Sequence, residues 1–438
     1  MNTIFEKIKN IFWENKMISS KEKEKLFYEI KGIVRGKGKR SNFNNDLLLK
    51  YINDILNIQN YNDDKKYVAI TSDYYIRKKD DSKLIAYYLP QYYPTEYNDK
   101  WWGKGSTEWT NVTKAMPQYI GHYQPRLAGE LGYYDLRIDE NIERQVELAK
   151  MYGIYGFCYY YYWFNGKRLL DVPFNKFLSN KNIKFPYCIC WVNESWSKQW
   201  FGSSEEILMK QDESEESYKN FIIDAAKYLL NDNYINIKGK KLLVIYRPYY
   251  IPNIKKVLDF WRKYVYKEYG IELYILGAMN NKYSNYRKWD FVNKGFDAIG
   301  EFALGSQKEF LKEIKSEKIF VCKEYLGDIY SYSDFINNRA YFKERLDKLY
   351  RAVCPMWDNS SRKINKGIIF DGSTPDLYKK WLIDIIKENK IRNDLDDDII
   401  FINAWNEWAE GAYLEPDRYW GYAYLQATKD AIEESRQL

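Results

Sequence analysis

From Lys83 onward, short apolar runs rich in β-branched and aromatic residues alternate with longer amphipathic stretches. Eight such runs can be picked out: Leu84–Leu89, Gly156–Tyr162, Tyr187–Val192, Leu242–Tyr246, Leu273–Met279, Ala298–Phe302, Ala352–Trp357 and Ile399–Trp405. Each is nearly continuous in apolar character, as a strand covered on both faces must be. Between most of them apolar positions recur every three or four residues. That period predicts helices over Glu140–Tyr152, Ser214–Leu230, Ile254–Tyr269 and Pro375–Asn389, with a closing helix over Tyr422–Arg436. The alternation is the signature of βα units, and eight buried strands are what a closed parallel barrel requires. The expected fold class is therefore α/β, a (β/α)8 barrel of the TIM type. A doubly wound open sheet is the competing fold. Against its dinucleotide-binding form, Leu89-Pro90-Gln91-Tyr92-Tyr93-Pro94 stands after the first run where a Gly-rich phosphate loop would be needed.

The pattern before Lys83 is different. Residues 1–80 form an expected helical N-terminal extension, and 83–438 the barrel, with polar Lys79–Ser82 as the boundary. Ile4, Phe5, Ile8, Ile11, Phe12 and Trp13 recur at helical spacing among Lys7, Lys9 and Lys16. Two readings fit this segment. One is a membrane-surface helix, giving peripheral membrane association through residues 1–20. The other, favoured for short amphipathic segments in general, is a helix docked on the barrel or on a partner. Further helices are expected around Lys21–Ile33 and Asn45–Ile58.

Composition narrows the chemistry. The chain of 438 residues lies within the range of barrels with insertions. It holds 44 Tyr, 21 Phe and 15 Trp, and flat rings with polar edges suit the C–H faces and hydroxyl rims of sugars. A biased genome is an alternative source of the tyrosines. A net charge of +7 from 68 basic and 61 acidic residues is too mild to argue for nucleic acid. The expected partner is an oligo- or polysaccharide, lipid-linked forms included. The five cysteines match neither a disulfide framework nor a zinc knuckle. A single histidine, His122, all but excludes histidine-based zinc sites and Ser-His-Asp triads; its place in a loop reads as packing. No metal or cofactor is expected, and acid–base work falls to carboxylates, Tyr, Lys or Cys. Neither a signal pattern nor an apolar run of membrane-spanning length is read, so the expected location is cytoplasmic, peripheral to the inner membrane if residues 1–20 bind it.

In a barrel of this kind the site lies at the C-terminal ends of the strands. Those positions offer Tyr92 and Tyr93 after the first run, Trp163 after the second, and Trp191, Asn193, Glu194 and Trp196 around the third. Arg247 follows the fourth, Glu301 ends the sixth, and Asp358 follows the seventh. Trp405, Asn406 and Trp408 flank the eighth, and Trp101 and Trp102 stand in the loop after the first. Carboxylates and amides bind hydroxyls, and indoles stack on sugar rings. The strongest signal is Trp405-Asn406-Glu407-Trp408-Ala409-Glu410-Gly411. In a helical turn Glu407 and Glu410 would face one way, ~5–6 Å apart at Cβ. Retaining glycoside chemistry wants carboxyls ~5–5.5 Å apart. Two such neighbours do not ionise together easily, so one becomes an acid near neutral pH. The competing reading, two glutamates capping a helix, loses ground beside the flanking tryptophans.

Several stretches resemble one known family. They are Ala86–Pro94, Trp101–Trp109, Gln124-Pro125-Arg126, Gly132–Arg137, Trp191–Trp196 and Asn406–Gly411. Together, over Lys83 to the C-terminus, they resemble the WbsX family of glycosyltransferases and lipopolysaccharide-biosynthesis proteins. That family is in turn similar to the family 99 glycoside hydrolases, the endo-α-mannosidases. The resemblance implies a (β/α) barrel and retaining chemistry on glycans. It also implies roles. Glu407 would act as base on the sugar's 2-hydroxyl, giving a 1,2-anhydro sugar. Glu410 would be the general acid for the leaving group and then the base for the acceptor. Ala409 departs from the pattern, since the hydrolases usually carry His there, and it leaves substrate identity open. The expected function is an enzyme of bacterial surface-polysaccharide (O-antigen or capsule) biosynthesis or processing that cleaves or transfers glycosyl groups. The alternatives are a non-catalytic glycan-binding barrel and a nucleotide-sugar-dependent glycosyltransferase.

Overall fold

The computed structural model describes residues 45–59, 66–164, 166–197, 206–279, 290–304, 310–321, 325–343 and 346–437. The chain divides into two units, 1–55 and 56–438. The helix expected over Asn45–Ile58 is present as Asn45–Gln59. The helices expected over residues 4–13 and 21–33 lie outside the described residues.

The second unit is built on eight parallel strands in chain order around a ring: β1 (Lys83–Tyr88), β2 (Ile154–Phe164), β3 (Tyr187–Trp191), β4 (Lys240–Ile245), β5 (Leu273–Met279), β6 (Ala298–Glu301), β7 and β8 (Ile399–Ile402). β7 comes in two pieces, Leu349–Tyr350 and Ala352–Val353, on either side of Arg351. The first piece pairs with β6 and the second with β8. β8 also pairs with β1, which closes the ring. Helices Asp139–Met151, Val172–Ser179, Glu215–Leu229, Ile254–Tyr269 and Pro375–Ile391 fall between strands, and Ala423–Glu434 follows the last. Val172–Ser179 was not expected; the bounds of the other five lie within two residues of the helices that the apolar period predicts.

The strands alternate as a barrel requires, one face to the lumen and the other to the helices. In β2, Tyr160 stacks on Tyr87 at 5.5 Å inside the ring, while Tyr159 meets Phe174 and Phe177 at 5.0 and 5.1 Å from the helix Val172–Ser179. In β3, Trp191 stacks on Phe221 of Glu215–Leu229 at 4.2 Å.

The seventh strand lies earlier than the expected 352–357. Arg351, in mid-strand, hides the strand from an apolar count, because its charge is buried against Glu301 at 3.3 Å and Glu388 at 3.1 Å. Cys354 and Met356 are buried beyond the strand end, which prolongs the apolar run without prolonging the strand. Trp357–Asp358 instead pairs antiparallel with Ile368–Asp371 in a separate small sheet.

Of the extension expected to end at residue 80, the described part from residue 66 carries no helix. It is fastened to the far end of the chain. Val68 donates to the Trp420 carbonyl at 3.1 Å, Tyr422 donates to the Val68 carbonyl at 2.9 Å, and Arg436 Nε reaches Asp81 at 2.8 Å. Among the described residues no helix is long and apolar enough to cross a membrane.

Candidate active site

The turn after β8 is held by its amide and its indoles. The Asn406 side chain accepts from Leu89 N at 2.7 Å and donates to the Leu89 carbonyl at 3.0 Å, clamping the turn to the end of β1. The Tyr92 hydroxyl donates to the Asn406 carbonyl from the same direction. Trp408 stacks on Tyr413 at 3.8 Å, and its indole N–H donates to Glu415 at 2.6 Å. Buried polar groups paired this fully fix a conformation. Gly411 ends the turn at φ +62°, where a Cβ would stand 3.0 Å from Arg126 Nε and 3.1 Å from Asp358 N. The chain between the hairpin pieces Asn406–Glu407 and Ala412–Tyr413 is a single 3-10 turn, Trp408–Glu410. Glu407 and Glu410 sit at its two ends.

Both carboxylates meet the same guanidinium. Arg362, on the short helix Ser360–Lys363, gives Nη2–H to Glu407 at 3.1 Å and Nη1–H to Glu410 at 2.7 Å. A third carboxylate completes the group: Glu108 accepts from Arg362 Nε at 2.9 Å and from Nη2 at 2.6 Å. Glu108 opens the helix Glu108–Thr113 and is buried, as are Arg362 and Glu407. Burial above all, and the charges of Glu410 and Glu108 after it, push the Glu407 carboxyl up to about 8 against the opposing pull of Arg362. The carboxylates in turn hold Arg362 firmly in its charged form.

Three of these groups, Glu407, Glu108 and Arg362, floor a cleft at the C-terminal face of the barrel. They line it together with Gln91, Asn98 and Tyr162. Its walls are aromatic. Trp101 and Trp102 come from the helix Glu96–Trp102, capped by Thr95, and Trp196 comes from a hairpin that pairs it with Met209. Trp101 and Trp196 meet edge to face at 5.9 Å across the cleft.

The remaining residues picked from strand ends are placed elsewhere. Trp163 and Trp191 are buried on the helix side of the barrel, and Trp405 is buried against Phe157 at 5.2 Å. Tyr92 packs between Trp109 and Tyr134 at 4.7 and 5.1 Å; Tyr93 is buried, its hydroxyl pushed up to about 12 by that burial. Asn193 exchanges two hydrogen bonds of 2.8 Å with the Arg247 backbone, and Glu194 pairs with the Arg247 guanidinium at 3.1 Å. Glu301 accepts from Ala352 N at 3.0 Å at the β6–β7 seam. Asp358 is enclosed by His122 at 2.8 Å, Gln124 at 2.6 Å and Ser360 N at 3.0 Å, and the contacts with His122 and Arg126 keep it ionised despite burial. Glu108 and Arg362 reach the cleft without having been singled out as site residues. Glu108 had a signal, since it lies in the Trp101–Trp109 stretch that carries the family resemblance.

The fold and site together are a closed (β/α)8 barrel with an aromatic cleft and clustered glutamates just past its last strand, at the C-terminal face where barrels of this kind carry their sites. The model of the family described as glycosyltransferase WbsX matches residues 84–428, and the chain belongs to that family. Two curated relatives, both an uncharacterized protein WxcX of Xanthomonas campestris pv. campestris, are 37% identical over 350 residues, 80% of this chain and 49% of theirs. The chain thus spans about half the length of the curated relatives it matches. Among solved structures, a glycoside hydrolase-like protein aligns with TM-score 0.51 at 14% identity, over 84% of this chain and 98% of that one, and shares the fold. The GH99 endo-alpha-mannosidase of Bacteroides thetaiotaomicron aligns with TM-score 0.48 at 14% identity, over 82% and 98%.

Proposed function

We propose that this protein cleaves or transfers glycosyl groups of a bacterial surface polysaccharide, with retention, through Glu407 and Glu410. The observation that carries the reading is that both carboxyls share the guanidinium of Arg362 beside an aromatic cleft. Sharing one guanidinium favours the short separation of retaining chemistry, ~5–5.5 Å, over the ~6.5–9.5 Å that leaves room for an inverting water. Trp101, Trp102 and Trp196 suit the apolar faces of sugar rings.

The steps follow from the two carboxyls. Glu407, as carboxylate, takes the proton of the sugar's 2-hydroxyl while that oxygen attacks C1. The bond from C1 to the leaving oxygen breaks, and Glu410 gives that oxygen its proton. A 1,2-anhydro sugar results. Glu410 then takes a proton from the acceptor, water or a sugar hydroxyl, whose oxygen attacks C1. The C1–O2 bond opens and Glu407 returns its proton to O2. Two inversions at C1 give net retention. A sugar hydroxyl is a weak acid, and a carboxylate made more basic by burial is a better base for it, at the cost of a smaller ionised fraction at neutral pH.

The test is mass spectrometry of lipid-linked surface glycan from the source cell, incubated with purified protein with and without nucleotide sugars, beside Glu410→Gln. Shortened glycan without nucleotide, absent in the variant, is the expected result. Extension only when a nucleotide sugar is present would replace this reading by nucleotide-dependent transfer, which the family's description favours. Glycan bound but unchanged under every condition would leave a binding barrel.

A further inference from the structure

We infer that Glu108 and Arg362 form a positioning unit for this site: Arg362 presents Glu407 and Glu410 to the cleft, and Glu108 both anchors Arg362 and keeps one proton within the carboxyl cluster. The inference rests on the reading of Glu407 and Glu410 as the reacting pair. Neither residue belongs to the turn that carries that pair, and they come from two separate loop helices.

The geometry is specific. Glu108 Oε1 takes two of the four hydrogen bonds that Arg362 gives to the cluster, from Nε at 2.9 Å and from Nη2 at 2.6 Å. A planar guanidinium gripped at Nε and Nη2 has its plane set, so Nη1 and the second proton of Nη2 have fixed directions. Those directions lead to Glu410 at 2.7 Å and Glu407 at 3.1 Å. Glu108 itself is held by its backbone, which donates to the Gln91 carbonyl at 3.0 Å, and by its place at the first position of the helix capped by Thr107. Its side chain is 1% exposed. Anchor and arginine are therefore both buried and both built from fixed backbone.

The charges give the second half of the argument. Three carboxylates on one guanidinium carry two negative charges in excess if all are ionised. Also facing the cluster are the Tyr92, Tyr160 and Tyr162 hydroxyls, kept neutral by burial, and toward Glu108 the Lys114 ammonium, whose charge burial disfavours. Buried together the carboxylates do not all ionise easily, so the cluster retains a proton up to a higher pH than a lone pair on one arginine would. Were Glu108 uncharged, Arg362 would neutralise Glu407 and Glu410 more completely and the proton would leave at lower pH. Lys at position 362 would act the other way. It keeps the charge but is a point donor that cannot grip three carboxylates in one plane, so Glu407 would hold its proton more tightly.

The test needs no substrate. The carboxyl carbons of glutamate are labelled with carbon-13, and the Glu407 resonance is assigned by its loss in Glu407→Gln. In Glu108→Gln, which keeps Oε1 as an acceptor, the Glu407 midpoint should fall by ~1–3 pH units. In Arg362→Lys it should rise. A merely structural pair would not move the midpoint in opposite directions. Midpoints that stay within about 0.3 units of wild type in both folded variants overturn the inference, and so do shifts of the same sign. If one variant does not fold, the sign in the other decides. Kinetics on glycan then separate the two readings. Midpoints that shift in the variants, with no turnover of glycan by the wild type, defeat the proposed function and leave the unit standing. Unmoved midpoints in an active enzyme defeat the unit alone.

Discussion

Arg351 and Arg362 are close in the chain, and each lies buried among glutamates, yet their surroundings differ. At Arg351, Glu301 uses one oxygen for the guanidinium at 3.3 Å and the other for the N–H of Ala352 at 3.0 Å. Glu388, the second partner, is partly open to solvent, with a side chain 21% exposed. The charges there are matched or solvated, and the backbone donor that the split in β7 would orphan is paired. At Arg362 three carboxyls meet one guanidinium, Glu108 and Glu407 are shut away from bulk water, and the group faces a cleft. A carboxylate whose lone pairs go to backbone and guanidinium joins two strands. Carboxylates that outnumber the charge they surround hold a mobile proton.

The sharpest way to break this contrast is to remove one ionisable oxygen from each cluster. Glu410→Gln should lower turnover of glycan ~10²–10⁴-fold, with melting temperature and circular dichroism close to wild type. A variant that keeps more than about a tenth of the activity would put general-acid catalysis elsewhere. Glu301→Ala should do the reverse. It strips Arg351 of a buried partner and costs ~3–5 kcal/mol in urea unfolding, while turnover per folded molecule is unchanged. Loss of turnover at unchanged stability would move Glu301 into the site.

The pH dependence gives a smaller effect with a definite sign. Glu407 stands at about 8 in the folded protein against an ordinary 4.5. Its burial is therefore tolerated while it carries its proton. That contribution is whole below the unfolded value and is lost as pH rises through about 8. Glu415, pushed up to about 7 by burial, acts in the same sense. Between roughly pH 5 and pH 8.5 the wild type should lose more stability than Glu407→Gln, measured by urea midpoint. A parallel loss in both would place the titration elsewhere. The kcat/KM profile should pass through a maximum, because Glu407 must lose its proton while Glu410 keeps one; a rate that rises and stays level would place the general acid outside this pair. The smallest effect belongs to the walls. Trp196→Ala should raise KM roughly 2–10-fold with kcat little changed, and a steady KM would mean that substrate does not stack there.

The barrel was legible because its strands are buried on both sides and its helices on one, and both habits leave periods in the sequence. The seventh strand was misplaced where that rule is broken, by a charged residue in the wall and buried Cys354 and Met356 past its end. The candidate site was legible where two carboxylates fall close in the chain, at Glu407 and Glu410 on one short turn. Trp163 and Trp191 had the right residue type on the helix-facing register. Tyr160 inside the ring fixes the parity of β2, and that parity brings Tyr162, its neighbour by two, to the cleft. Arg362 carried no signal. It stands on a four-residue helix between strands, and only tertiary structure brings it to Glu108 and the turn after β8.

The ties between residues 66–82 and the last helix bear on how the chain is made. β1 is among the first parts of the barrel to be synthesised, but one of its two neighbours, β8, and the residues that fasten Val68 and Asp81 are among the last. During translation β1 and β2 can pair early, while the other edge of β1 stays open until residues 399–436 have emerged. Ring closure is then a late, long-range event, and the growing chain exposes a bare apolar strand edge for most of the barrel's synthesis. Truncation within the closing helix should therefore yield aggregation in place of a slightly shorter barrel.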